Sequence, residues 1–121
     1  MKHITLIIGL LVVGCLTAEQ KQKALRDSVV GEYEDTKGGD TAKLVFLEND
    51  VAEGYWNGKK KEGEAKWSIV DGKIYVNLPH GEITIWRINK DGSITVITGI
   101  NKDEEREDYP KEDQFTYKRI K

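Results

Sequence analysis

Gly72-Lys73-Ile74-Tyr75-Val76, Gly81-Glu82-Ile83-Thr84-Ile85 and Gly92-Ser93-Ile94-Thr95-Val96 repeat one local pattern three times. In each, branched residues stand two and four places after a glycine. Residues two apart in an extended chain share a face, so each stretch reads as a short strand. The glycines are nine and eleven residues apart. That interval suits short antiparallel strands and leaves no room for the crossover helix of a parallel unit. The repetition is hairpin rhythm, not a duplicated unit.

The rhythm extends outward in both directions. Asn57-Gly58, Asp71-Gly72, His80-Gly81 and Asp91-Gly92 each lie between strand-like runs. Such pairs supply the positive φ that tight hairpins need. Strands are expected at Val29–Asp35, Thr41–Leu47, Val51–Trp56, Glu62–Val70, Lys73–Leu78, Glu82–Ile88, Ser93–Ile100 and Gln114–Ile120. Within the fourth, Ala65, Trp67 and Ile69 alternate with Glu64, Lys66 and Ser68, giving one buried and one wet face. Leu44 to Leu47 is apolar on both faces, so this stretch is expected to lie under the N-terminal segment or a loop. Asn101 to Lys111 breaks the rhythm with the charge run Asp103–Asp108 and reads as a solvated loop. Eight short strands in succession predict an all-β domain over residues 29–121. It is either an up-and-down antiparallel eight-stranded barrel or a strongly curved meander sheet. Closing the barrel removes the exposed edges of an open sheet.

The other end of the chain reads differently. Met1-Lys2-His3 is a short basic start, and Ile4 to Val13 is apolar except for Thr5 and Gly9. A basic start, a short apolar run and a small residue at the cut describe a secretory signal segment. The run is far short of the ~20 residues a spanning helix needs. Val12-Val13-Gly14-Cys15 resembles the lipobox of bacterial lipoproteins. The resemblance implies cleavage before Cys15 and a lipid on its thiol, so that residues 1–14 are a cleaved signal helix. Residues 15–28 are polar and rich in helix formers. They are expected to form a lipidated tether with a turn or two of helix. The membrane is then a partner through Cys15, and the location is the bacterial cell envelope. With two membranes in the host, Leu16 after the cysteine implies the outer one, facing the periplasm. Cys15 is the only cysteine among 121 residues, so no intrachain disulfide can form.

Composition narrows the function. The formal net charge is −2, and acidic and basic residues are interspersed. No basic surface for nucleic acid is evident. Outside the signal the only histidine is His80, in the turn Pro79-His80-Gly81, and no Gly-x-Ser-x-Gly occurs. A nucleophile needs a neighbouring base, so no enzyme is expected. No metal site and no cofactor are expected either. Asn101, Asp103 and Glu105 imitate the start of a calcium loop, but Arg106 stands where that loop requires glycine. Lys59-Lys60-Lys61 reads as a soluble hairpin tip or as a contact with anionic lipid or glycan.

Over most of 29–121 the sequence resembles small bacterial lipocalin-like lipoproteins. The resemblance lies in Gly31-Glu32-Tyr33, Leu44-Val45-Phe46, Gly63-Glu64-Ala65-Lys66-Trp67 and the cationic Tyr117-Lys118-Arg119-Ile120. It implies a barrel closed by the pair Tyr33 and Arg119, with Arg119 packing across the ring. Trp56, Trp67 and Trp86 fall on three expected strands, where they either fill the core or line a barrel mouth. The residues expected to meet a ligand are Trp56, Trp86 and Tyr75. The implied function is non-enzymatic uptake of a small apolar ligand. The alternative is an envelope interaction or inhibitor protein acting through loops such as Gly58–Glu62 and Lys102–Lys111.

Overall fold

The computed structural model describes residues 17–121. The expected signal segment and Cys15 lie outside the described residues. The strands are β1 (Gly31–Lys37), β2 (Asp40–Phe46), β3 (Val51–Trp56), β4 (Lys59–Lys60), β5 (Ala65–Val70), β6 (Lys73–Asn77), β7 (Ile83–Ile88), β8 (Ile94–Ile100), β9 (Arg106–Asp108) and β10 (Thr116–Arg119). Eight of them form the wall of a closed antiparallel barrel, in the order β1-β2-β3-β5-β6-β7-β8-β10. Closure comes from β10, which pairs with β8 at Ile94 and Thr95 and with β1 at Tyr33 and Glu34. The short β4 folds back on β3, and β9 borders the far end of β8. The fold is thus a lipocalin-like barrel, and the curved open sheet is set aside.

Each expected strand is present. Both residues of Asn57-Gly58 and of Asp71-Gly72 have positive φ, between 50° and 84°. That is the twist a two-residue hairpin requires of right-twisted strands.

Residues 18–29 are more helical than the expected tether. They form helix α1 (Ala18–Val29), three turns long and docked on the barrel. Thr17 Oγ1 accepts from the Gln20 amide at 3.1 Å, and Gln20 Oε1 accepts from the Thr17 amide at 3.0 Å. This reciprocal box satisfies two amides that a helix start leaves open. Gln22, Leu25, Arg26 and Val29 recur at helical spacing and form the docked face. Val29 is buried in the core and Leu25 packs against it. Gln22 Nε2 donates to the Ile69 carbonyl at 2.8 Å. Arg26 donates to the Glu48 carbonyl, pairs with Asp50 and lies 4.6 Å over the Trp67 ring. Val29, expected at the start of the first strand, therefore belongs to the helix.

The helix caps one end of the barrel, and that end is filled. Tyr33 meets Phe46 edge-on at 5.6 Å, and Phe46 meets Trp67 at 5.2 Å. Ile69, Ile74 and Ile94 complete this floor, each buried. The Trp67 indole donates to the Leu47 carbonyl at 2.9 Å, so even its polar edge is satisfied.

Candidate functional site

The other end of the barrel is hollow. A cavity of about 380 Å³ lies above the floor, within the range of roughly 300–1,000 Å³ usual for small-molecule sites. Its origin is in the side chains that face inward there. Ala42 on β2, Ala52 and Gly54 on β3 and Ala65 on β5 present little or no side chain to the interior. On the floor, β2 presents Phe46 and β5 presents Trp67 and Ile69. Small residues on three adjacent strands leave a space that the opposite wall does not fill. That wall is Val76, Leu78, Thr84, Trp86 and Tyr117. Trp86 and Tyr117 meet edge-on at 5.1 Å. The Trp86 indole donates to Thr84 Oγ1 at 2.9 Å.

The mouth is formed by Lys61, Glu62, Gly63, Pro79 and His80. Lys60 and Lys61 part company here. Lys60 pairs with Glu53 at 2.9 Å. A hydrogen bond from Lys60 is the main reason the Glu53 carboxyl sits below the usual carboxylate range. Lys61 is tied through its backbone, its amide donating to the Gly54 carbonyl at 2.8 Å. Its aliphatic stem crosses the place where a Gly54 side chain would be, 3.3 Å from that position. His80 lies 3.4 Å from Glu82 at the rim.

The residues expected from sequence to meet a ligand are not brought together. Trp86 lines the cavity. Trp56 stands at the end of β3, 48% exposed, and does not. Tyr75 pairs in register with Ser68 and Ile85, on the opposite side of β6 from Ile74 and Val76, and so turns away from the interior. β7 holds a second departure. Ile83 and Ile85 share a face, but Thr84 and Trp86 are the residues that pair with inward Val76 and Ile74. A register shift between Ile85 and Trp86 accompanies this. The inward position at the end of the second repeated stretch is thus taken by the indole that follows it.

Tyr33 and Arg119 do meet, as direct partners across the β1–β10 seam. Arg119 Cζ lies 5.6 Å from the ring centre, and Nη1 donates to Tyr33 Oη at 3.2 Å. Arg119 also donates to the carbonyls of Ser28 and Val30. Burial pushes the Tyr33 hydroxyl above its ordinary pKa against the opposing pull of Arg119. Burial does the same to Tyr117, helped by the charge of Asp35. In the acidic loop, the Asn101 carboxamide oxygen accepts from the amides of Asp103 and Glu105. That side chain is engaged in holding its own turn.

The residues that sequence reasoning missed are the small ones, Ala42, Ala52, Gly54 and Ala65, and the cation at the mouth, Lys61. A signal for the former existed. Ala52 and Gly54 at alternate positions of expected strand 3, with Ala42 and Ala65 on strands 2 and 4, mark a stretch with little bulk. Compared with protein-family models, with curated proteins and with solved structures, the chain matches none.

Proposed function

We propose that this protein is a membrane-anchored, non-enzymatic binding module that takes a small apolar ligand into its barrel. The observation that carries the reading is a barrel filled at one end and hollow at the other. Side chains alone can fill an eight-stranded barrel, so small residues on three neighbouring strands are a departure that makes room. An apolar ligand displaces poorly held water from such a space and gains contact with the Trp86 and Tyr117 rings.

The anchor in this reading is a lipid on Cys15, after removal of residues 1–14, in a bacterial envelope. Helix α1 begins soon after that cysteine and lies against the sealed end. A lipid there would turn the floor toward the bilayer and the mouth toward solvent. Replacing Cys15 with Ser is expected to release the protein from the membrane fraction or leave it unprocessed. Continued membrane retention of a processed Cys15→Ser protein would overturn the anchor.

Uptake is tested separately by filling the cavity. Ala42→Phe places a ring in the hollow end. Native mass spectrometry of the protein from its host is expected to show a bound small molecule, and Ala42→Phe is expected to lack it. A protein that carries nothing, and binds no apolar compound in titration, would sink the uptake reading.

A further inference from the structure

We infer that the occupant of the cavity is an amphiphile with one anionic end, its apolar part inside the barrel and its anion held by Lys61 at the mouth. The inference rests on reading the cavity as a binding site. The interior favours an apolar part. Among the described residues no buried side-chain nitrogen or oxygen lacks a hydrogen-bond partner. The Trp86 indole is already committed to Thr84. A polar head pushed inward would lose its water against a lining that is mostly apolar.

The mouth favours an anion. Lys43 pairs with Glu32 at 3.4 Å, Lys60 with Glu53 at 2.9 Å and the His80 imidazole lies 3.4 Å from Glu82. Lys61 lines the mouth and has no carboxylate partner among the described residues. Glu62 shares the rim without pairing to it. The Lys61 stem is laid across Gly54, which sets the root of its side chain at the opening. An anion at the rim keeps its water on one side and gains this cation on the other. Size sets the length of the apolar part. At water's share of about 30 Å³ each, a cavity of about 380 Å³ holds roughly a dozen small groups. A medium-length chain fits this space.

Calorimetric titration of the purified full chain with octanoate, octanol and octyltrimethylammonium tests this. Octanoate is expected to bind tightest, and added salt is expected to weaken octanoate alone. Lys61→Met keeps the stem over Gly54 and removes the charge. It is expected to weaken octanoate about fivefold, the size of a solvent-accessible ion pair, and to leave octanol unchanged. Octanol binding as tightly as octanoate, or octanoate indifferent to Lys61→Met, would overturn the inference while leaving the cavity a site for neutral apolar compounds. Binding by none of the three would overturn both it and the uptake reading. Lys61 is exposed, so melting temperature should not change in Lys61→Met, which separates lost recognition from lost folding.

Discussion

At the start of β1, Gly31 is required by a residue far away in sequence. A side chain on it would collide with the Lys121 carbonyl and with the Arg119 guanidinium. Its φ of 153° also lies in the region that L side chains rarely adopt. Gly31→Ala is therefore expected to destabilise the barrel by about 2 kcal/mol, in the range of overpacking costs, as read from urea midpoints. Arg119→Ala is expected to cost roughly as much. It removes a cation–π contact, hydrogen bonds to the carbonyls of Ser28, Val30 and Lys121, and one to Tyr33 Oη. Two tyrosines make stability depend on pH. The hydroxyls of Tyr33 and Tyr117 are both raised in the folded state. Unfolded, they ionise near their ordinary value of about 10. Above that value the folded state holds more protons than the unfolded one, so stability is complete below about pH 10 and falls as pH rises through the folded values. Urea midpoints at rising alkalinity should show the loss, and Tyr117→Phe should make it shallower. The Tyr33–Arg119 contact was foreseeable only through the lipocalin-like resemblance carried by Gly31-Glu32-Tyr33 and the cationic last strand. The need for Gly31 was not, since it depends on which backbone the last strand brings alongside.

Among the elements, helix α1 shows why a legible signal can be underread. Thr17-Ala18-Glu19-Gln20 spells a capping box, and Gln22, Leu25, Arg26 and Val29 share a helical face. Yet a twelve-residue helix is marginal by itself in water. Whether it forms depends on the surface offered to it, here the β5 edge around Ile69 and the ring of Trp67. Val29→Ala should lower global stability by about 2 kcal/mol, because a buried anchor is truncated. Thr17→Ala should act differently. It is expected to speed amide exchange over the first turn of α1 while leaving the global unfolding midpoint almost unchanged, since the cap is exposed and local opening is independent of the barrel. A large drop in the global midpoint would mean that α1 and barrel unfold as one unit. The strands were easier to read, because alternation and X-Gly turns are local. In β7 the local pattern put Ile83 and Ile85 on one face without saying which face is inward, and the register shift was beyond its reach.

For the whole molecule, the count of eight strands and their antiparallel order could be read from spacing, whereas hollowness could not. A cavity depends on which inward residues come to stand beside one another after the sheet curls. Ala52 meets Ala65 only through the β3–β5 register. A filling substitution separates function from stability here. Ala42→Phe should block uptake while leaving the melting temperature the same or higher, because the added ring enters empty space and strains no packed core. A pronounced fall in melting temperature would show that the hollow end cannot accept it. Trp86 fluorescence offers a direct readout, since its ring lines the cavity.

The seam between β1 and β10 also sets a timetable. Its partners, Tyr33 and Arg119, lie at opposite ends of the barrel sequence, so no partial product of synthesis can close the ring. Until β10 arrives, β1 carries an open row of backbone donors and acceptors, ready to pair with another chain. Such late, long-range pairing is slow. A chain that closes last at its far end stays open for as long as it is being made. The same delay leaves it exposed to its own copies. A chain ending at Gln114 should therefore self-associate rather than persist as a looser monomer, and sedimentation of that truncated form would read the outcome directly.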